Sequence, residues 1–217
     1  MTQEFWLILA ATVGYGVIHS ILAAQTVKNG VARLLGKGFV ARFYRFLFSL
    51  IGGITLLPLL AMVVLLPDEL IYLIPTPWSF FTGLIQLAAG GCFMAALVQT
   101  GFSDFLGLRR ILLDEQSAIE SLELDELVTT GMYRWVRHPL YFFGMVIMWL
   151  MPVMTWNTLA LFIGATGYLL IGSLFEERRL EQQFGEAYRA YKRRTPWMLP
   201  GLRIRRSPLA RKTPTDR

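Results

Sequence analysis

The stretch GMYRWVRHPLY, residues 131–141, is polar, cationic and aromatic, and an apolar run follows it directly. Pro139 suits the first position of a helix, where its missing N–H would have no partner in any case. His138 is then the expected N-cap, and the free amides of the first turn point back toward Arg134, Arg137 and His138. Free amides beside two arginines favour an anion such as a carboxylate or a phosphate.

The same stretch has a second interpretation. Arginines and aromatic residues also collect at membrane–water interfaces, so residues 131–141 are equally typical of a juxtamembrane belt. Tyr133, Trp135 and Tyr141 present flat faces that suit a ring or a cation. The choice between the two interpretations depends on the rest of the chain.

The composition is that of a membrane protein. The 217 residues are 54% hydrophobic and 17% charged, and the mean hydropathy is +0.48. These values exclude an ordinary soluble domain and predict an all-α, polytopic membrane helical bundle in contact with the lipid bilayer. The formal net charge is +6, but the basic residues flank apolar runs, so we expect no nucleic-acid partner. The single cysteine, Cys92, excludes an intramolecular disulfide.

Five apolar runs predict five membrane spans, and an amphipathic cytoplasmic helix follows them. We place the spans at about 5–27, 43–66, 78–100, 140–156 and 159–175, and the amphipathic helix at 176–194. The last two spans are short and close together, which predicts a helical hairpin. We treat residues 1–217 as one integral-membrane domain, with three N-terminal spans in residues 5–100. The sequence does not indicate an oligomeric state.

The basic residues predict the topology. All 21 Lys and Arg residues lie in three stretches, 28–45, 109–137 and 178–217. Five spans place these stretches on one side of the membrane, and the positive-inside rule makes that side cytoplasmic. We therefore expect a multi-pass protein of a bacterial inner membrane, with its N-terminus outside and its C-terminus in the cytoplasm.

A second polar cluster lies where the fifth span meets water. Glu176 and Glu177 are followed by two arginines, and alone they are typical of a solvated helix end. The hairpin of spans four and five, however, returns them to the level of His138 and Pro139. One mouth of the bundle then holds arginines, a helix N-terminus, aromatic rings and carboxylates. That set suits a small zwitterion with a flat ring, such as S-adenosylmethionine.

Two motifs carry a family resemblance. G-x-Y-R-W-x-R-H-P-x-Y at 131–141 and E-E-x-x-L-x-x-x-F-G-x-x-Y-x-x-Y at 176–191 resemble the isoprenylcysteine carboxyl methyltransferases and related integral-membrane methyltransferases. The resemblance covers about residues 125–197. It implies a bundle that binds S-adenosylmethionine at its cytoplasmic end, while a lipophilic or small methyl acceptor enters from the bilayer. By matching position it implies cofactor contacts at Glu126, Leu127, Val128, Tyr133, His138, Pro139, Leu140, Tyr141 and one of Glu176 and Glu177.

Methyl transfer needs alignment, desolvation and an unprotonated acceptor more than it needs a strong acid or base. We therefore predict that three residues serve the reaction. Glu177 and Arg137 position the cofactor, and His138 orients the cofactor or the acceptor. We predict no metal site.

The first half of the chain supports an alternative. His19-Ser20 in span one and Tyr44-Arg45 at the start of span two resemble the NnrU and ζ-carotene isomerase group. That resemblance implies haem held by two histidines, and this chain has two, His19 and His138. Imidazole is a normal axial ligand of haem. A non-enzymatic membrane protein, in which His19 only hydrogen-bonds a neighbouring helix, is the third possibility.

Overall fold

The computed structural model describes residues 2–123 and 126–201, and within these ranges the protein is helical apart from one small sheet. The elements are α1 (Gln3–Ala23), α2 (Gln25–Leu35), α3 (Lys37–Phe39), α4 (Arg45–Leu65), β1 (Leu70–Leu73), α5 (Trp78–Gln99), α6 (Phe102–Leu106), α7 (Leu108–Ile111), α8 (Glu115–Glu123), α9 (Pro139–Trp149), β2 (Val153–Thr155) and α10 (Trp156–Arg194). A π-helical turn, Val40–Tyr44, joins α3 to α4, and a 3₁₀ turn, Gly131–Arg134, precedes α9. The predicted all-α class is confirmed.

Four helices are long and apolar enough to cross a membrane: α1, the continuous helix Lys37–Leu65, α5 and α10. Their outer surfaces are apolar; Leu57 and Phe80, for example, are 62% and 66% exposed in the isolated chain. Surfaces of this kind are expected to face lipid tails. The chain is therefore a multi-pass integral membrane protein.

The small sheet defines a fifth crossing. β1 follows α4 and pairs antiparallel with β2, and the Trp156 amide donates to the Glu69 carbonyl, so α10 begins on the side where α4 ends. α9 begins on the opposite side, where the end of α5 contacts the 3₁₀ turn. The 11 residues of α9 rise about 16 Å, and the non-helical residues 150–155 can add about as much. Together they cross the roughly 30 Å of hydrocarbon.

Two boundaries differ from the prediction. The fourth span, expected at 140–156, stops being helical at Trp149, because Pro152 and the pairing of β2 follow. The fifth span and the amphipathic helix, expected as separate pieces, form the single helix α10, because no Gly or Pro interrupts the junction at residue 176. Only Gly185, with φ 54°, bends it. Below, residues 156–175 are the membrane-crossing part of α10 and residues 176–194 its charged part.

Two parts of the sequence interpretation lie outside the described residues. They are Asp125, the first residue of the region that carries the resemblance, and the basic tail from residue 202 onward.

Close packing sets the rotation of the helices that carry the polar motifs. Gly16 in α1 admits the ring of Tyr168 from α10; a Cβ at Gly16 would lie 2.8 Å from the Tyr168 Cδ2 atom. α5 packs against α9, where the Gln86 amide donates to the Ile147 carbonyl at 2.8 Å. α10 is thus held against α1, and α9 against α5.

Candidate active site

The two polar motifs meet at one mouth of the bundle. Pro139 opens α9 and His138 is its N-cap, as predicted. The His138 Nδ1 atom lies 3.5 Å from Glu176 Oε2, and its Nε2 atom lies 3.6 Å from Glu177 Oε1. The imidazole is buried, with 4% of its side chain exposed, and it sits between the two carboxylates. Residues 38 positions apart are therefore neighbours, as the predicted hairpin required.

Arg137 ties the charged part of α10 to this mouth. Its Nε atom donates to Glu177 Oε1 at 2.5 Å, and its Nη1 atom donates to the Thr195 carbonyl at 2.6 Å and to the Lys192 carbonyl at 3.3 Å. The Lys192 ammonium lies 3.1 Å from Glu177 Oε2. The guanidinium that the sequence analysis assigned to cofactor positioning is thus bonded to protein groups, and in this arrangement it acts through Glu177.

Tyr141 closes the other side of the imidazole. Its ring stacks on His138 with centroids 5.3 Å apart and planes 6° from parallel, and its hydroxyl donates to Glu176 Oε2 at 2.8 Å. His138 and Tyr141 are three positions apart across the start of α9, so the helix itself brings their rings together.

The charges of the cluster support one another. Burial would raise the pKa of Glu177, but contacts with His138 and Arg137 outweigh it and hold that pKa at about 2. Burial alone would lower the pKa of His138, whereas Glu176 and Glu177 raise it above its ordinary value. The favoured state is an imidazolium between two carboxylates.

The 3₁₀ turn before α9 is held by residues that the sequence analysis left without a role. The Tyr191 hydroxyl donates to the Tyr133 carbonyl at 2.6 Å, and the Gln99 side chain accepts from the Met132 amide at 2.9 Å. Burial, together with the charge of Glu176, raises the pKa of the Tyr133 phenol to about 12, so it stays neutral. The helical spacing of the aromatic residues in α10 was the available sequence signal for Tyr191. For Gln99 the signal was a polar side chain within an apolar span, which predicts a hydrogen bond to a neighbouring segment. Lys192 gave no signal.

Some predicted cofactor contacts lie apart from the cluster. Glu126, Leu127 and Val128 form irregular chain ahead of the 3₁₀ turn; Glu126 is exposed, and the described residues show no bond between it and the cluster. Pro139 and Leu140 lie in the first turn of α9, directly beside His138.

The groups at this mouth fit S-adenosylmethionine. Within the described ranges, three buried polar atoms here have no hydrogen-bond partner: His138 Nε2, the Tyr188 hydroxyl and Trp197 Nε1. The first turn of α9 has no side-chain cap, so its amides can meet a carboxylate. Carboxylates suit an ammonium and ribose hydroxyls, and aromatic rings suit an adenine or a sulfonium.

The two histidines lie in different clusters. Three rings, those of Tyr15, Phe48 and Tyr168, surround His19, with centroids 5.6, 4.2 and 6.1 Å from the imidazole. Both nitrogens of His138 face carboxylates instead. This geometry does not support a haem held jointly by the two side chains.

Comparison with known proteins points to the same part of the chain as the polar cluster. Residues 84–187 match the family model for phospholipid methyltransferases. This part of the chain is similar to that membrane methyltransferase family. The matched range contains His138, Glu176 and Glu177 and confirms the resemblance noted from the two motifs.

Individual relatives carry related names. A methanethiol S-methyltransferase of Mycobacterium tuberculosis is 46% identical over 69 residues, which cover 32% of this chain and 28% of the relative. Methanethiol S-methyltransferase 2 of Bradyrhizobium diazoefficiens is 35% identical over 113 residues, or 51% and 42% of the two chains. The human protein-S-isoprenylcysteine O-methyltransferase is 31% identical over 129 residues, or 57% and 42%.

The matched regions are partial. The chain spans less than half the length of each of these curated relatives. None of the solved structures gives a significant match to it.

Proposed function

We propose that this protein is an S-adenosylmethionine-dependent methyltransferase that methylates a small thiol at the membrane. The observation that carries the proposal is the meeting of His138, Glu176 and Glu177 at one mouth, within a region that matches a methyltransferase family. When bound, S-adenosylmethionine supplies an electrophilic methyl group on its sulfonium.

In this proposal the residues of the chain bind the cofactor and orient it. Glu176 and Glu177 meet the ammonium or the ribose hydroxyls, and the first-turn amides of α9 meet the carboxylate. Arg137 and Lys192 keep Glu177 ionised and in place, which makes both of them positioning residues. Tyr141 stacks on His138 and fixes the plane of the imidazole.

The relatives favour a small acceptor over a lipid one. The two bacterial relatives described above are named for methanethiol, and they include the one that is 46% identical. The relative named for a prenylated cysteine is 31% identical. We therefore place a small thiol first among acceptors, ahead of a prenylcysteine carboxylate and a phospholipid amine.

Binding of S-adenosylhomocysteine to the detergent-purified protein, measured by calorimetry, tests the cofactor part. Glu177→Gln removes a charge-assisted contact, which is worth about 1.5–3 kcal/mol, so affinity should fall roughly 10- to 100-fold. Glu176→Gln should weaken binding while leaving the Arg137–Glu177 pair intact. Glu186→Gln, on the exposed side of the same helix, is the matched control and should bind like the parent.

The acceptor is tested by presenting an alkyl thiol, a prenylcysteine and phosphatidylethanolamine to the same sample with labelled cofactor. Label in the thioether alone supports the proposal. Absence of S-adenosylhomocysteine binding, or equal losses in Glu177→Gln and Glu186→Gln, contradicts it.

We also propose that the mouth faces the cytoplasm, because the basic stretches at 28–45 and 109–137 flank it and the positive-inside rule applies. A reporter fused to the C-terminus, active only in the cytoplasm, tests this orientation. If only a reporter that works in the periplasm is active at the C-terminus, the proposed orientation is reversed.

A further inference from the structure

A cavity lies between α1 and α4, in the part of the chain that precedes the family match. It measures about 230 Å³ and is lined mainly by apolar side chains, including Ala11, Leu59 and Met62. Ile18 lies at its edge and is 58% exposed, so the cavity opens toward the lipid-facing surface.

Three polar side chains line this cavity, and two of them are satisfied by the helices. The Tyr15 hydroxyl donates to the Gly52 carbonyl at 3.1 Å, and the Thr55 hydroxyl donates to the Ile51 carbonyl at 2.7 Å. The third is His19, whose imidazole nitrogens make no hydrogen bond to any described residue. His19 is therefore the group left to meet a polar atom of a bound molecule.

The close fit of neighbouring residues holds the His19 imidazole in place. A Cβ at Gly52 would lie 2.8 Å from His19 Cε1 and 3.2 Å from its Nδ1, so only a glycine leaves room for the ring. Phe48 and Tyr15 cover the imidazole with centroids 4.2 and 5.6 Å away. The side chain is thus fixed at the polar end of an otherwise apolar cavity.

A shared helix connects this cavity with the candidate active site. The Tyr168 ring of α10 meets the edge of the His19 ring, with centroids 6.1 Å apart. Glu176, one of the carboxylates of the candidate active site, lies about two turns further along the same helix.

We propose that this cavity holds the methyl acceptor, as a small alkyl thiol whose S–H donates to the His19 imidazole and whose alkyl group lies among the apolar side chains of α1 and α4. The inference rests on the proposed function and adds the place and the size class of the acceptor. An engineered protein cavity of about 150 Å³ holds a benzene molecule, whereas most ligand pockets exceed about 300 Å³. The observed volume therefore suits a small molecule, and a prenyl chain would have to extend into the lipid.

A photoreactive probe tests the cavity without reference to turnover. The probe is a short alkyl thiol carrying a diazirine, added to the detergent-purified full chain, with labelled peptides located by mass spectrometry. Label is expected on Ile18 and Met62, and excess ethanethiol should compete it away. Ala11→Leu should remove the label, whereas Ala10→Leu, one position along α1 on the exposed face, should leave it unchanged.

Kinetics test the role of His19. His19→Phe keeps a ring but removes the acceptor nitrogen, so the KM for ethanethiol should rise about five- to tenfold, with unchanged affinity for S-adenosylhomocysteine. His19→Gln, which restores a hydrogen-bond acceptor, should recover part of the loss. The KM should also rise in Ala11→Leu, more for butanethiol than for ethanethiol, and it should stay at the parent value in Ala10→Leu.

The outcomes separate the two proposals. Thiol methylation with the same KM in Ala11→Leu and the parent, or label spread evenly over the lipid-facing surface, overturns the cavity assignment and leaves the function standing. If a diazirine phospholipid labels the same residues, and ethanethiol does not displace the label, the cavity is a lipid site. That result also overturns the cavity assignment. Label in the cavity without any thiol methylation would instead remove the proposed acceptor chemistry.

Discussion

The two histidines of this chain are both packed against aromatic rings, yet their electrostatic surroundings are opposite. His138 stacks on Tyr141 and lies between the carboxylates of Glu176 and Glu177. His19 is enclosed by three rings and, among the described residues, meets no carboxylate. His138 lies within the region that matches the methyltransferase family, and His19 lies before it. The charged site lies in the part of the chain that resembles the family, and the apolar one lies outside it.

The comparison separates two ways of holding an imidazole. At His138, two carboxylates of α10 hold the ring by ionic contacts, so removing one charge leaves others buried without partners. At His19, the fit of neighbouring side chains holds it, so volume matters more than charge. Each of the following changes acts on one of these two sites and should leave the other unaffected.

The largest effect is expected from Arg137→Ala. The change leaves Glu177 buried without the guanidinium and frees the carbonyls of Lys192 and Thr195. Removing one partner of a buried ion pair costs about 3–5 kcal/mol. For a chain of this size that corresponds to a fall of at least about 6 °C in Tm, measured by thermal unfolding in detergent.

Arg134→Ala is the matched control for that variant, because Arg134 lies three residues before Arg137, at the end of the 3₁₀ turn, and is exposed. Its Tm should stay within about 2 °C of the parent. Equal Tm losses in the two variants would show that Arg137 has no special role in fixing the charged part of α10. Labelling of the His19 cavity by the diazirine thiol should be the same in both.

A smaller loss is expected from Gly52→Ala, which acts on the His19 site. The added methyl group would overlap the imidazole, and overpacking of this kind costs about 1–3 kcal/mol. Gly53→Ala, the next residue in α4, meets nothing within 4 Å and gains helix propensity, so it should be neutral or stabilising. Thermal unfolding of the pair measures the difference. If Gly53→Ala proves as destabilising as Gly52→Ala, the fit around His19 is not what requires the glycine.

The sequence predicted the charged site better than the apolar one. The meeting of His138 with Glu176 and Glu177 follows from the order of the spans, because a hairpin must return to its starting level. The partner of His19 depends on the rotation of α1, and a helix that is apolar on every side carries no sign of which face turns inward. The pairing of β1 with β2 was missed for a similar reason: Leu70–Leu73 is too short to show a strand period.

A further loss, about 1 kcal/mol, is expected from Tyr191→Phe. This change removes the hydroxyl that donates to the Tyr133 carbonyl at 2.6 Å and so loosens the turn that leads to His138. Tyr188→Phe is the control: its hydroxyl is buried, and within the described ranges it has no partner, so losing it should leave the stability of the ligand-free protein unchanged or higher. Chemical or thermal unfolding of the two variants gives the comparison. A larger loss in Tyr188→Phe would mean that its hydroxyl has a structural partner.

The smallest effect on Tm is expected from a change in pH, and the pH dependence of Tm distinguishes the two histidines directly. Because Glu176 and Glu177 raise the pKa of His138, its imidazolium stabilises the fold fully below pH 6.5, and this contribution is lost as the pH rises through the raised value. Glu177, with a pKa held at about 2, remains ionised throughout that range and does not mask the change. The Tm of the parent should therefore fall, relative to that of His138→Gln, as the pH rises from 6.5 through the raised pKa of His138. His19 faces no carboxylate, so the Tm of His19→Gln should follow the parent over the same range. If His138→Gln follows the parent and His19→Gln does not, the charge that stabilises this bundle lies at the other histidine, and the roles assigned to the two sites must be exchanged.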